Sequence, residues 1–273
     1  MNKEYKLDVP PTSKDLILQP PMALNGVLPK INFNMIIVGS PGSGKSVLCY
    51  NIINKFYQDF FDIVILISPT GESDDIQKAL NLPSARVITD MTKAEEVLNK
   101  IIKVQKEEIK KNNESYDGVN KVLIWFDDII GHQKFMKSDA LVETIIKNRH
   151  INASTILCSQ YYKAIPKRIR ECANCDMFFN CSRTELETIA DDFEPPGLNK
   201  QRFMDVLEAN LKEKHAFITI NRRSPWNERI RKGLAQVIDF NAAIPDKRKD
   251  VYENTVNNKK LKTDNFEKDV VLK

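Results

Sequence analysis

Residues 39–46 read Gly-Ser-Pro-Gly-Ser-Gly-Lys-Ser, and they constrain this chain more than any other stretch. The run fits G-x-x-x-x-G-K-[ST] at every position. A buried strand is expected before it, over Phe33–Val38. A helix is expected after it, over Ser46–Tyr57, with apolar residues at Val47, Leu48, Ile52, Ile53 and Phe56. In that setting the glycines let consecutive backbone N–H groups curl around phosphate oxygens. The helix that starts near Lys45 adds the positive end of its dipole. Lys45 is expected to reach the β- and γ-phosphates, and the Ser46 hydroxyl to ligate Mg²⁺. The nucleotide-binding segment is therefore Gly39, Ser40, Pro41, Gly42, Ser43, Gly44, Lys45, Ser46 and Val47. Three of the chain's nine glycines lie between positions 39 and 44. In a chain so poor in glycine, a chance match is disfavoured.

Further short apolar runs follow the first. Strands are expected over Ile63–Ile67, Val122–Phe126, Ser154–Ser159, Asp176–Asn180 and Ala216–Ile220, with helical spacing between most of them. Capping boxes at Thr92-x-x-Glu95 and Thr184-x-x-Glu187 predict two helix starts. Ser138 predicts another, for a helix reaching Asn148, and Asn199–Lys212 reads as helix. Strands that read as unbroken apolar runs and alternate with helices predict an α/β fold, with a mostly parallel sheet covered on both faces. Residues 1–30 are proline-rich and polar and read as an extended arm. Residues 31–240 read as one ATPase-type domain, and 241–273 as a polar, lysine-rich tail.

Composition narrows the class of protein. Apolar residues make up 42% of the 273, too many for a disordered chain. A count of 41 Lys+Arg against 37 Asp+Glu leaves a charge of +4, too mild to name a partner alone. No run approaches 18 apolar residues, so no membrane span is expected. The start of the chain lacks the apolar core of a signal peptide, which predicts a protein that is not secreted. Five cysteines in no regular framework read as free thiols. Cys172-x-x-Cys175 with Cys181 resembles half of a zinc site but lacks a second pair.

Two further features point to chemistry. Val122-Leu-Ile-Trp-Phe-Asp127-Asp128 ends a buried strand in two acids. Asp127 is expected to hold Mg²⁺. Asp128, one residue on, is expected to face the other side of the strand and orient the attacking water. The strand Ser154–Ser159 ends in Gln160, whose amide can both donate and accept and so sense a γ-phosphate. Between Thr144 and Arg170 there is no acid, while Lys147, Arg149, Lys163, Lys167, Arg168 and Arg170 are basic. Arg149 is a candidate arginine finger for a neighbour's nucleotide, or else a DNA contact. Lys163, Lys167, Arg168 and Arg170 are candidate contacts to DNA phosphates. Arg222, Arg223, Arg229, Arg231 and Lys232 form a second, weaker basic cluster.

The loop Gly39–Ser46, the strand ending Asp127-Asp128, Arg149-His150 and the strand ending Gln160 occur in an order and spacing that resemble a known family. It is the poxvirus-type DNA-packaging ATPases of large DNA viruses and virophages, within the FtsK–HerA superfamily of P-loop motors. The Ile67-Ser68-Pro69-Thr70 strand ending resembles it too. The resemblance implies a three-layer P-loop fold with an additional strand and core order 5-1-4-3-2. It implies ATP and Mg²⁺ as cofactors, and a homo-oligomeric ring of five or six subunits around double-stranded DNA. It also implies a capsid or portal-like vertex as docking partner, and a place in the host cytoplasm, in a virus factory, or in the virion. By the same match Lys45 and Ser46 bind nucleotide and metal, Asp127 holds the metal, Asp128 activates water and Gln160 senses phosphate. Many superfamily members carry Glu where this chain has Asp128. A cellular or plasmid DNA pump or helicase, and a small-molecule kinase using the loop alone, are the competing readings.

Overall fold

The computed structural model describes residues 27–71, 80–195 and 197–240. The unit that carries the sheet ends at Ile238. Most of the expected arm and all of the expected tail lie outside the described residues.

Nine strands form one sheet among the described residues. They are β1 (Asn34–Val38), β2 (Ile63–Ile67), β3 (Val87–Ile88), β4 (Val122–Asp127), β5 (Ala153–Ser159), β6 (Cys175–Phe179), β7 (Phe217–Asn221), β8 (Ile230–Lys232) and β9 (Gln236–Val237). Their order is β3-β2-β4-β5-β1-β6-β7-β8-β9. All neighbours from β3 to β6 are parallel, and β7, β8 and β9 are added antiparallel. The five long parallel strands, taken in chain order, lie across the sheet as 5-1-4-3-2, the order the resemblance implies. Every residue of β1, β4, β5 and β6 is buried, so both faces of the central sheet are covered and it forms the middle of three layers. All six expected strands are present, each within a residue or so of its expected bounds. The short strands β3, β8 and β9 were not expected.

Helices α1 (Lys45–Asn51), α2 (Met91–Lys111), α3 (Asp139–Ile146), α4 (Lys167–Glu171), α5 (Arg183–Phe193) and α6 (Lys200–Asn210) connect the strands. The helix expected over 46–57 is α-helical only to Asn51 and then widens into a π-turn over Ile52–Phe56. Tyr57 closes that turn, its N–H bonded to the Ile52 carbonyl at 2.9 Å and its hydroxyl to the Pro29 carbonyl. Ser138 caps α3 as expected, accepting from the Leu141 N–H, and Asn199 caps α6. The two capping boxes need correction by two residues. Asp90, not Thr92, caps α2 and accepts from the Thr92 N–H, while Ser182, not Thr184, caps α5. Helix α2 buries Ala94, Leu98, Ile102, Gln105 and Ile109, one stripe at helical spacing. The polar member is satisfied: the Gln105 amide donates to the carbonyls of Asn120 and Ile151 at 2.8 and 2.9 Å.

A buried polar network ties β6 and β7 to the segment after β5. Arg222 Nε lies 2.9 Å from Asp176 on β6, and its guanidinium stacks 4.4 Å from the Phe193 ring. Arg170 Nη1 lies 2.8 Å from Asp192, which also accepts from the Tyr162 hydroxyl at 2.9 Å. Asp176 is fully buried. Burial pushes its carboxyl up to about 6, against the pull of Arg222. The folded state therefore holds that proton to a higher pH than an ordinary carboxyl near 3.8. Between those values the native protein binds more protons than the unfolded chain, so this group's share of stability falls as pH rises. We expect the stability of wild type relative to Asp176→Asn to fall by up to about 3 kcal/mol between pH 4 and pH 7 in denaturant titrations. A difference that stays flat across that range would contradict this.

Candidate active site

The parallel register brings three strand ends together. Val38 pairs with Ser159, and Asp127 pairs with Cys158, so β1, β5 and β4 end level at the carboxyl edge of the sheet. The phosphate-type loop leaves β1 there, Asp127-Asp128 end β4, and Gln160 follows β5. Neighbouring strands lie about 4.8 Å apart, so the acids sit roughly 10 Å across the sheet from the loop. A triphosphate can span that width. The carboxyl edge of a parallel sheet is also where ligands settle in open α/β folds.

The loop is built from contacts that only small residues allow. The Gly39 N–H donates to the Ser159 carbonyl at 3.1 Å. A Cβ on Gly39 would lie 2.5 Å from Ser43 Oγ and 2.7 Å from Phe179 Cβ, closer than packed atoms come. Gly44, the residue before α1, has φ +111°, a conformation closed to residues with a Cβ. Lys45 folds back over the loop, and its ammonium donates to the Gly39 and Ser40 carbonyls at 2.6 and 3.0 Å. Ser43 Oγ is buried with no hydrogen-bond partner among the described residues. His215 lies on the loop's rim, its Nδ1 2.9 Å from the Ser43 carbonyl oxygen. Neither Phe179 nor His215 was expected here, because nothing local in the sequence ties them to residues 39–46.

The two acids differ in setting. Asp127 is buried at the strand end, whereas Asp128 is exposed. Asp128 adopts φ 53°, ψ 32° and starts a 3₁₀ turn over Ile129–Gly131. Its direction is thus set by a left-handed turn and not, as expected, by strand alternation. Asp is among the residues that tolerate this region. The Gln160 amide donates to both Asp128 oxygens, at 3.2 and 3.3 Å. Gln160 is therefore a partner of Asp128 across adjacent strand ends. Ser46 and Asp127 are hard oxygen donors of the kind Mg²⁺ selects, and so fit the expected metal.

Beneath the site lie two thiols. Cys49 on α1 and Cys158 on β5 sit with sulfurs 3.1 Å apart, and Trp125 Nε1 donates to Cys158 at 3.3 Å. Burial, then the hydrogen bond to Cys158, pushes the Cys49 thiol well up. Cys175, read as part of a zinc half-site, is a core residue of β6.

The basic residues separate. Lys163, Lys167 and Arg168 are exposed, and Lys167 pairs with Glu171 at 3.7 Å. Arg170 does not belong with them. Its side chain is 10% exposed and is held by Asp192 and the Tyr162 ring, so it is unavailable to DNA phosphates. Arg149 is exposed in a 3₁₀ turn before β5, at the opposite end of that strand from Gln160. It cannot act on the nucleotide of its own subunit. Burial first, and then the charge of Arg149, pulls the Arg223 guanidinium below its ordinary value, so the two arginines share that far edge.

The family model described as "Poxvirus A32 protein" matches residues 25–259. The chain belongs to the Poxvirus A32 protein family. The match takes in the whole sheet and runs on beyond it. Curated relatives include "DNA packaging protein OPG160" of vaccinia virus (strain Copenhagen) and of monkeypox virus, each 26% identical over 178 residues, or 63% of this chain. The match spans 62% of the vaccinia protein and 55% of the monkeypox protein. Among solved structures, the genome packaging NTPase B204 of Sulfolobus turreted icosahedral virus 2, in complex with ATP-gammaS, is similar in fold. Its TM-score is 0.51 at 16% identity, over 76% of this chain and 98% of that one. The pCW3 conjugation coupling protein TcpA has TM-score 0.54 at 13% identity, over 82% of this chain and 67% of that one. At those identities the likeness is one of fold.

Four substitutions should separate the parts of the site. Lys45→Ala should abolish ATP hydrolysis and leave the circular dichroism spectrum unchanged, since among the described residues the lysine bonds to its own loop. Gly39→Ala should weaken ATP binding at least tenfold, because its Cβ displaces Ser43 or Phe179. Asp128→Asn should bind Mg²⁺·ATP near normally yet turn over slowly, whereas Asp127→Ala should lose Mg²⁺-dependent affinity. Normal turnover by Asp128→Asn would place water activation elsewhere.

Proposed function

We propose that this chain is an ATP-hydrolysing motor that moves double-stranded DNA into a preformed viral capsid. The reading rests on one observation above others. The phosphate loop, the acid pair and Gln160 converge on a single sheet edge, in a member of a family whose curated relatives are named for DNA packaging.

The residues divide the work as follows. Backbone N–H groups within residues 42–46 and the Lys45 ammonium hold the β- and γ-phosphates of ATP. Lys45 exchanges its loop carbonyls for phosphate oxygens, a charge-assisted contact of the stronger kind. Ser46 and Asp127 hold Mg²⁺, which when bound neutralises phosphate charge. Asp128 accepts a proton from the attacking water. Gln160 keeps the Asp128 carboxylate aimed, and its amide oxygen remains able to accept from that same water. This assigns Gln160 to positioning the base as well as to phosphate sensing. Asp reaches one methylene less far than Glu, and the left-handed turn at Asp128 moves the carboxylate by backbone geometry instead.

Arg149 is suited to act in trans. A head-to-tail ring of subunits, five or six in number, sets the amino edge of one sheet against the carboxyl edge of the next. That arrangement carries Arg149 to a neighbour's γ-phosphate. Lys163, Lys167 and Arg168 remain candidates for contacts to DNA phosphates. The ring docks on a capsid vertex in the cytoplasm of an infected cell, or persists in the virion. No helix among the described residues is long and apolar enough to cross a membrane.

Double-stranded DNA should stimulate ATP turnover by the full chain, and Lys45→Ala should remove that turnover. Arg149→Ala should keep nucleotide affinity and lose most of the stimulated rate, since a finger in trans contributes about 10³–10⁵ in other P-loop enzymes. Mixing Arg149→Ala with Lys45→Ala should restore part of it. If turnover instead survives while DNA affinity falls and its salt dependence flattens by about one contact, Arg149 touches DNA. Phosphoryl transfer from ATP to a small acceptor, with no response to DNA, would favour the kinase reading.

A further inference from the structure

The turn between α6 and β7 meets the phosphate loop through a side chain with no part in the chemistry above. β7 runs antiparallel to β6, and Phe217 pairs with Phe179 at the carboxyl edge. β6 in turn lies beside β1, with Phe178 opposite Val38. Residues just ahead of Phe217 therefore emerge next to the loop that leaves Val38. His215 is the one that reaches it. Its Nδ1 is 2.9 Å from the Ser43 carbonyl oxygen, and 3.6 Å from where a Cβ on Gly44 would stand. A carbonyl only accepts, so Nδ1 carries the proton and donates.

We propose that His215 is a positioning residue of the nucleotide site: it ties the Ser43 carbonyl outward and so keeps the Gly44 N–H aimed into the phosphate cradle. The inference rests on reading residues 39–46 as that cradle. In a trans peptide the C=O and N–H point in opposite directions. Fixing the Ser43 carbonyl on His215 therefore sends the N–H of the same peptide unit, that of Gly44, to the far side. Glycine at 44 resists rotation of this unit poorly, because φ is nearly free there. A rotated unit would turn a carbonyl oxygen, the negative end of the dipole, toward the phosphates. The imidazole supplies the restraint that glycine cannot.

The backbone at His215 provides the means of testing this. Its φ is 63°, in the left-handed region, where Asn is tolerated and Gly is unstrained. Asn carries an N–H the same number of bonds from Cβ as Nδ1, and Gly carries none. The two variants thus share a permitted backbone and differ in the donor. Binding of Mg²⁺·ATPγS by the full chain is measured for wild type, Lys45→Ala, His215→Asn and His215→Gly. We expect His215→Asn to bind within twofold of wild type. We expect His215→Gly to bind about three- to tenfold more weakly, the equivalent of one hydrogen bond. The unfolding midpoint without nucleotide should be the same for both. A His215→Gly protein that binds like wild type overturns the inference. So does a His215→Asn protein as weak as His215→Gly, or a His215→Gly protein whose nucleotide-free midpoint drops well below that of His215→Asn. A wild-type protein that binds no better than Lys45→Ala overturns the nucleotide site itself, and this inference with it.

Discussion

The level ending of β1, β5 and β4 is the constraint on which the site depends. Each of these strands is buried along its whole length, and burial on both faces fixes register strongly. A slip of one residue would turn Asp127 from the sheet's edge into its core and carry Gln160 out of reach of Asp128. The apolar runs that make the core thus also set the positions of the polar groups that follow them. Trp125, fully buried and bonded to Cys158, links the acid strand to the Gln160 strand from below.

The two ends of the sheet carry different chemistry. At the carboxyl edge stand the phosphate loop, the acids and the amide. At the amino edge stand Arg149 and Arg223, where burial first and the charge of Arg149 second lower the Arg223 guanidinium. The antiparallel addition of β7 connects the two ends within one subunit. Its first residues emerge beside the phosphate loop, and its last lead to Arg222 and Arg223. Arg222 is anchored on Asp176, and the Asp192 side of the same network holds Tyr162, two residues beyond Gln160. A shift at either end therefore meets a packed, charged network and not a flexible loop.

Much of this was legible in the sequence, for reasons that differ by element. The central strands are unbroken apolar runs with polar ends, so their positions could be read within about a residue. The loop and the acids could be read because their chemistry is local: adjacent residues act together. The caps of α2 and α5 could not be placed as well. Asp90 and Thr92, like Ser182 and Thr184, are both competent caps, and where the preceding strand releases the chain decides between them. β3 and β8 are too short, and β8 too charged, to announce themselves before a partner strand is known. Arg170 looked like a member of a basic face because its carboxylate, Asp192, lies 22 positions away. His215 had no signal at all, being 172 positions from the carbonyl it meets. Contacts made by the topology, and not by neighbours in the chain, were the ones sequence could not supply.

The most direct test of a single nucleotide site at the carboxyl edge is amide hydrogen exchange of the full chain with and without Mg²⁺·ATPγS. Slowed exchange should concentrate in residues 39–48, with smaller effects at 127–131 and 158–162. The peptide carrying Arg149 should respond only under conditions where subunits associate. Protection centred away from residues 39–48, or none at saturating nucleotide, would contradict the account.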